Sequence, residues 1–211
     1  MKRILCYGDS NTFGYAPVTG DRYEPSIRWT GQLQALLGSD YCVIEEGCNG
    51  RTTVFTDPRE PWKNGRNYLE ACLNSHKPLD LIILMLGTND LKTMYGASPE
   101  DVAAGAETLV RLIQSFTKNK QGFAPKILLV SPVFIGENIV NTHFRTSFDS
   151  SAPGRSKLLA PLYKKIAAQY GCLSLNAAEI AKPSAADSLH LMPEDHTALA
   201  ESFSAVVKST L

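Results

Sequence analysis

Asp80-Leu81-Ile82-Ile83-Leu84-Met85-Leu86 is apolar on both faces and stops at Gly87-Thr88-Asn89-Asp90. A strand with one wet side alternates apolar and polar residues. A run that does not alternate fits the centre of a parallel sheet with helices on each side. Further apolar runs lie outward from it at Ile4–Tyr7, Tyr41–Glu45, Lys126–Val130 and Cys172–Leu175. The central run itself extends over Leu79–Leu86. Helical patterns fall between them at Thr30–Leu37, Asn67–Leu73, Pro99–Ser115, Gly154–Tyr170 and Glu194–Leu211. The third opens on Ser98-Pro99-Glu100-Asp101: a Ser cap, Pro at the first helical position, then acids at the positive end of the helix dipole. Strands alternating with helices predict an α/β layered sandwich joined by right-handed crossovers.

The chain has 211 residues, enough for one sizeable core, and a single domain over residues 1–211 is expected. Lys plus Arg and Asp plus Glu are equal at 21 each, with no basic run, so nothing electrostatic points to nucleic acid or an anionic membrane. No stretch approaches the roughly 20 apolar residues of a membrane span. The first apolar run, Ile4–Tyr7, is too short for a signal peptide, and a cytoplasmic location is expected. The five cysteines are odd in number and lack CxxC spacing, so buried reduced thiols are expected. No metal is expected on these cysteines. Three long irregular stretches stand out, Tyr15–Ile27, Thr56–Arg66 and Phe134–Pro153. Loops of such length tend to be functional or disordered. The last is too apolar for a free loop and should pack over the site or against another copy of the chain.

The chemistry gathers where strands end. Ligands of open parallel sheets bind outside the carboxyl ends of strands. Ser10 in Gly8-Asp9-Ser10-Asn11, Gly47 in Gly47-Cys48-Asn49-Gly50, and Gly87–Asn89 each follow an apolar run directly. Any one block alone reads as an ordinary turn, because Gly, Asn and Asp favour turns. Three blocks converging on one sheet edge read as a site. A serine nucleophile needs a base, and the base needs an orienting group. Asp187-Ser188-Leu189-His190 offers both on one local turn. His190 would take the proton of Ser10, and Asp187 would fix the imidazole tautomer. The N–H groups of Ser10 and Gly47 and the side-chain amide of Asn89 would receive the oxyanion. Asp9, Asn11 and Asp90 are read as supports that hydrogen-bond and fix these turns. No G-x-S-x-G is present, which excludes the usual α/β-hydrolase elbow.

These four blocks resemble the SGNH (GDSL-type) hydrolase superfamily. Arg28-Trp29-Thr30-Gly31, Val43-Ile44-Glu45-Glu46-Gly47, Gly50-Arg51-Thr52-Thr53 and Ala124–Pro132 are similar to its bacterial arylesterase/perhydrolase branch. The resemblance implies a flavodoxin-like three-layer α/β/α sandwich with a five-stranded parallel sheet in the order 2-1-3-4-5. It implies hydrolysis of short acyl esters, often acetyl, sometimes with acyl transfer to peroxide, and no cofactor. It also implies a homo-oligomer, for which Phe134–Phe148 is the candidate contact.

A carbohydrate O-deacetylase is the nearest rival and would line its mouth with polar or aromatic residues, for which Tyr15, Tyr23, Trp62 and Tyr95 are available. Phe13 and Val133 are candidates for the acyl-pocket wall. Arg51 is read either as a substrate contact or as a partner of Glu45, Glu46 or Asp90. Trp29 is read as core or interface and His196 as packing or capping, while His76 and His143 are assigned no role. From another class, a non-catalytic small-ligand-binding module on the same scaffold is the alternative, since fold does not dictate function.

Overall fold

In the computed structural model, which describes residues 1–211, the strands are β1 (Lys2–Gly8), β2 (Tyr41–Gly47), β3 (Leu81–Met85), β4 (Lys126–Ser131) and β5 (Leu173–Asn176). They pair in parallel in the order β2-β1-β3-β4-β5, as the resemblance implied. The unalternating run at 81–85 is the middle strand, and all five of its residues are buried. Its side chains divide by parity. Ile82 and Leu84 enter the core on one face of the sheet; Leu81, Ile83 and Met85 enter the core on the other. β1 divides the same way, with Leu5 and Tyr7 against Ile4 and Cys6.

The helices are α1 (Ser10–Phe13), α2 (Trp29–Leu37), α3 (Gly65–His76), α4 (Pro99–Gln121), α5 (Ala152–Lys157), α6 (Leu159–Tyr170) and α7 (Pro193–Thr210). The first core packs the sheet against α3, α4 and α6, through residues such as Leu69, Leu109 and Tyr163. The second packs it against α2 and α7, through Trp29, Leu33, Phe203 and Val207. α4 starts as its sequence dictates. Ser98 Oγ accepts from Asp101 N, and Asp101 Oδ2 accepts from Ser98 N in return. It runs past Ser115 because the Gln121 amide bonds both the N–H and the C=O of Leu79, and Gly122, with φ +85°, then ends it.

The expected helix over Gly154–Tyr170 is two helices, α5 and α6, meeting at Leu158. Pro161 accounts for the break. It has no N–H for the Lys157 carbonyl, and its ring crowds that oxygen. The stretch Phe134–Pro153 is folded onto its own chain. Ile135, Ile139 and Phe148 are buried in the first core, while Phe134, Val140 and Phe144 stay half-buried. No helix is long and apolar enough to cross a membrane. The five cysteines are unpaired.

Candidate active site

β1 ends at Gly8, and the chain turns at once into α1. Asp9 caps that turn, its carboxylate accepting from Asn11 N at 3.0 Å. Burial pushes Asp9 up to about 6, against the pull of the Asn11 N–H and the charges of His190, Arg51 and Lys92. Ser10 thus opens α1 at the carboxyl edge of the sheet, 7% exposed, with no protein acceptor for its own N–H. Asn11 Nδ2 donates to Leu189 O at 3.3 Å, which ties the serine turn to the segment carrying the histidine.

That segment is built around one carboxylate. Asp187 Oδ1 accepts from the N–H groups of Leu189 and His190, both at 2.9 Å. Ser188, between Asp187 and Leu189, takes a left-handed conformation, φ +61°, so that both N–H groups can face back. Its carbonyl accepts from Gly136 N at 2.8 Å, so the loop after β4 braces the turn. Asp187 Oδ2 lies 2.6 Å from His190 Nδ1, and His190 Nε2 lies 2.8 Å from Ser10 Oγ. Burial would raise the Asp187 pKa, but the hydrogen bond and charge of His190, with the two backbone N–H groups, hold it below the usual carboxylate value. Tyr15 lies against the imidazole, centroids 4.2 Å apart, and Phe144 stands at 5.5 Å. Two aromatic rings therefore fix the histidine ring that the carboxylate orients.

The cavity at this point has a volume of about 180 Å³ and is walled by Ser10, His190, Gly50, Asn89, Lys63 and Lys92, with Tyr15, Asn49, Phe144 and Ser147 around them. A larger groove of about 650 Å³ lies beyond the ends of β4 and β5, between Lys157 and Ile180, and contains none of the Ser–His–Asp group. Asn89 follows β3 and gives one amide N–H to Arg51 O at 3.2 Å, leaving its second for the cavity. Asp90 accepts from Thr53 N at 2.9 Å and from Thr53 Oγ1. Burial pushes its pKa up to about 6, with the Thr53 bonds opposing. Together Asn89 and Asp90 sew the segment after β2 to the segment after β3.

Gly47 does not supply a donor to this cavity. It is the last residue of β2, in register with Gly8, and an added Cβ would stand 2.1 Å from Phe13 N. Its bareness serves the packing of β2 on α1. Gly50, two residues into the following turn at φ +80°, lines the cavity, and its N–H has no acceptor in the protein. Asn-Gly is a turn pair that supplies positive φ, and that signal was present in the sequence.

Arg51 meets neither the cavity nor a carboxylate. Its Nη1 donates to Gly8 O at 3.0 Å and to Glu46 O, and its guanidinium lies 4.2 Å from the Tyr7 ring centre. It pins the ends of β1 and β2. Phe13 and Val133 do not line the cavity either; Phe13 carries the Arg22 guanidinium over its ring, and Val133 belongs to the α2/α7 core. Trp29 is fully buried against Phe203 and donates to Asn11 O at 3.0 Å. Of the aromatic mouth candidates, Tyr15 reaches the cavity; Tyr23, Trp62 and Tyr95 do not. His76 meets two unexpected neighbours, Glu46 and Cys72, with their donor atoms within 4.8 Å of one another. Tyr68 and His76 both already bond Glu46 Oε1, at 3.2 and 2.8 Å, and the trio lies outside the cavity at Ser10.

A hydroxyl, an imidazole and a carboxylate in one hydrogen-bonded line, beside free N–H donors, define the serine-hydrolase class of site. Residues 6–198 match the GDSL-like lipase/acylhydrolase family, and the chain belongs to that family. It is a carboxylic ester hydrolase. The chain is similar over its full length to the M. smegmatis aryl esterase, at 36% identity, with 100% of each chain covered and a TM-score of 0.94. It is also similar to a carbohydrate acetylesterase from Sinorhizobium meliloti, at 34% identity, with 100% of each chain covered and a TM-score of 0.94. The lipase/acylhydrolase from Enterococcus faecalis shares the fold at 17% identity, covering 99% of this chain and 96% of that chain with a TM-score of 0.68. No curated protein matches the chain in sequence.

Proposed function

We propose that this protein hydrolyses short-chain acyl esters, acetyl esters foremost, through an acyl-enzyme on Ser10. Ser10 Oγ attacks the ester carbonyl as His190 Nε2 takes its proton. The imidazolium so formed is held through Nδ1–H by Asp187, whose carboxylate stays ionised. The carbonyl oxygen becomes an oxyanion and meets the N–H groups of Ser10 and Gly50 and the free amide N–H of Asn89. Collapse expels the alkoxide, which His190 protonates, and leaves the acyl group on Ser10. Water, deprotonated by the same imidazole, then attacks the acyl-enzyme and releases the acid. Peroxide can take the place of water in that last step, giving a peracid.

The observation that carries this reading is the unbroken line Asp187–His190–Ser10, at 2.6 and 2.8 Å, opening on a small cavity beside Gly50 and Asn89. The size of that space supports a small acyl group: about 180 Å³ falls below the roughly 300 Å³ at which drug-sized sites begin. The test is turnover of 4-nitrophenyl acetate by the wild type and by Ser10→Ala, with a fluorophosphonate probe mapped by peptide. Loss of turnover and labelling at Ser10 are expected; equal rates, or labelling elsewhere, would overturn the proposal.

A second reading, carbohydrate O-deacetylation, is favoured by the polar wall of Asn49, Lys63, Lys92 and Ser147 and by the likeness to the Sinorhizobium meliloti acetylesterase. A panel of acetylated sugars against aryl acetates separates the two through kcat/KM.

A further inference from the structure

The cavity at Ser10 is lined by no carboxylate, yet two lysines, Lys63 and Lys92, stand in its wall. They are not equivalent. Lys63 forms an ion pair with Glu60, and an added Cβ on Gly50 would lie 3.1 Å from its Nζ, so its charge sits beside the donor turn but is already matched. Lys92 comes from the turn after Asn89-Asp90. It is half-buried and makes no side-chain hydrogen bond and no ion pair.

The surrounding acids are engaged elsewhere. Asp57 bonds Arg59, Glu60 bonds Lys63, and Asp9 caps α1. Burial, then the neighbouring charge of Lys63, lower the Lys92 pKa, with Glu60, Asp57 and Asp9 acting the other way. The whole chain is neutral, with 21 residues of each sign, so this single unmatched cation is a local feature of the cavity. A partly desolvated charge without a partner is costly, and a ligand that brings the partner recovers that cost. The remaining wall, Asn49 and Ser147, also offers hydrogen-bond donors.

We propose that the esters this enzyme prefers carry an anionic group, a carboxylate or a phosphate, which Lys92 binds while the ester carbonyl lies at Ser10. The inference rests on the reading of Ser10 as nucleophile. It adds a second recognition point in the wall of the same cavity and defines the substrate class by charge. The anion can sit on the acyl or on the alcohol portion, and the two arms of one experiment separate these cases.

The acyl arm compares mono-4-nitrophenyl glutarate with 4-nitrophenyl valerate, each corrected for spontaneous hydrolysis. The alcohol arm compares 4-acetoxybenzoate with 4-acetoxybenzamide. In the wild type, the anionic ester of at least one arm is expected to exceed its neutral partner in kcat/KM by about tenfold or more, the scale of a charge-assisted hydrogen bond. That preference should shrink as salt is added. Lys92→Met should erase the ratio and Lys92→Arg should retain most of it. The proposal is overturned if neither anionic ester is preferred by the wild type, or if the preference survives Lys92→Met. These outcomes are independent of the nucleophile test, because Ser10→Ala is scored on the neutral esters alone.

Discussion

His190 and His196 are near neighbours in sequence, one on the turn before α7 and one in its first turn, and both are buried, at 3% and 0% exposure. His190 has a carboxylate at one ring nitrogen and the serine hydroxyl at the other. His196 accepts the N–H of Trp29 at Nδ1, 3.3 Å away, and its Nε2 has no partner. Burial, aided by the charge of His190, drives the His196 pKa down to about 4. The difference bears on how, in the proposed mechanism, a buried imidazole serves as a base. Burial alone keeps it neutral; an adjacent acid lets it accept a proton and hold the resulting charge.

The sharpest way to break the comparison is to remove a reacting group. Ser10→Ala and His190→Ala should each lower kcat for 4-nitrophenyl acetate by on the order of 10⁶-fold, and the double variant should be little worse, because the pair acts as a unit. Next comes Asp187→Asn, which keeps the acceptor for the Leu189 and His190 N–H groups but turns an amide N–H toward His190 Nδ1. A loss of about 10⁴-fold in kcat is expected, and a loss under tenfold would show that the tautomer does not depend on Asp187. Asn89→Ala removes one donor and should cost about 10²–10³ in kcat with little change in KM.

The smallest effect on turnover belongs to His196→Asn, which retains an acceptor for Trp29 N and should leave kcat within a few-fold. Its effect is on acid stability. The His196 pKa falls from 6.5 to about 4 on folding, so the unfolded chain takes up the proton first. The stability it contributes is full above about pH 6.5 and is lost as pH falls toward 4, on the order of 3 kcal/mol. Asp9 and Asp90, raised to about 6, act with the opposite sign and favour the folded state as pH falls through that value. Thermal unfolding of both proteins from pH 7 to 4 should therefore show wild-type Tm falling relative to the variant. A constant gap across that range would refute the assignment.

The sheet was legible because each strand is an apolar run cut off by glycine or a polar turn, and β3 announced its central place by failing to alternate. The hydrogen-bonded line Asp187–His190–Ser10 was legible because Asp187 and His190 are local to each other and Ser10 directly follows a strand. The glycine that lines the cavity was misread for a physical reason. Sequence pattern ended β2 at Glu45, whereas pairing with β1 carries it to Gly47, which moves the turn on to Asn49-Gly50. Lys63 and Lys92 left no trace in the pattern, since charged residues in irregular segments have no period and their orientation is set by packing. Tyr15 was visible only as one aromatic among several in loops; its contact with His190 depends on how the Tyr15–Ile27 stretch folds back on itself.

The chain order of the catalytic groups has a consequence for synthesis. Ser10 follows the first strand, and the last strand closes at Asn176, before either Asp187 or His190 has been made. A nascent polypeptide can therefore display its hydroxyl and lay down all five strands while still lacking any means to ionise that hydroxyl. Under the proposed mechanism, hydrolytic competence waits for the segment that follows the last strand, and a chain cut before Asp187 is disarmed rather than merely weakened.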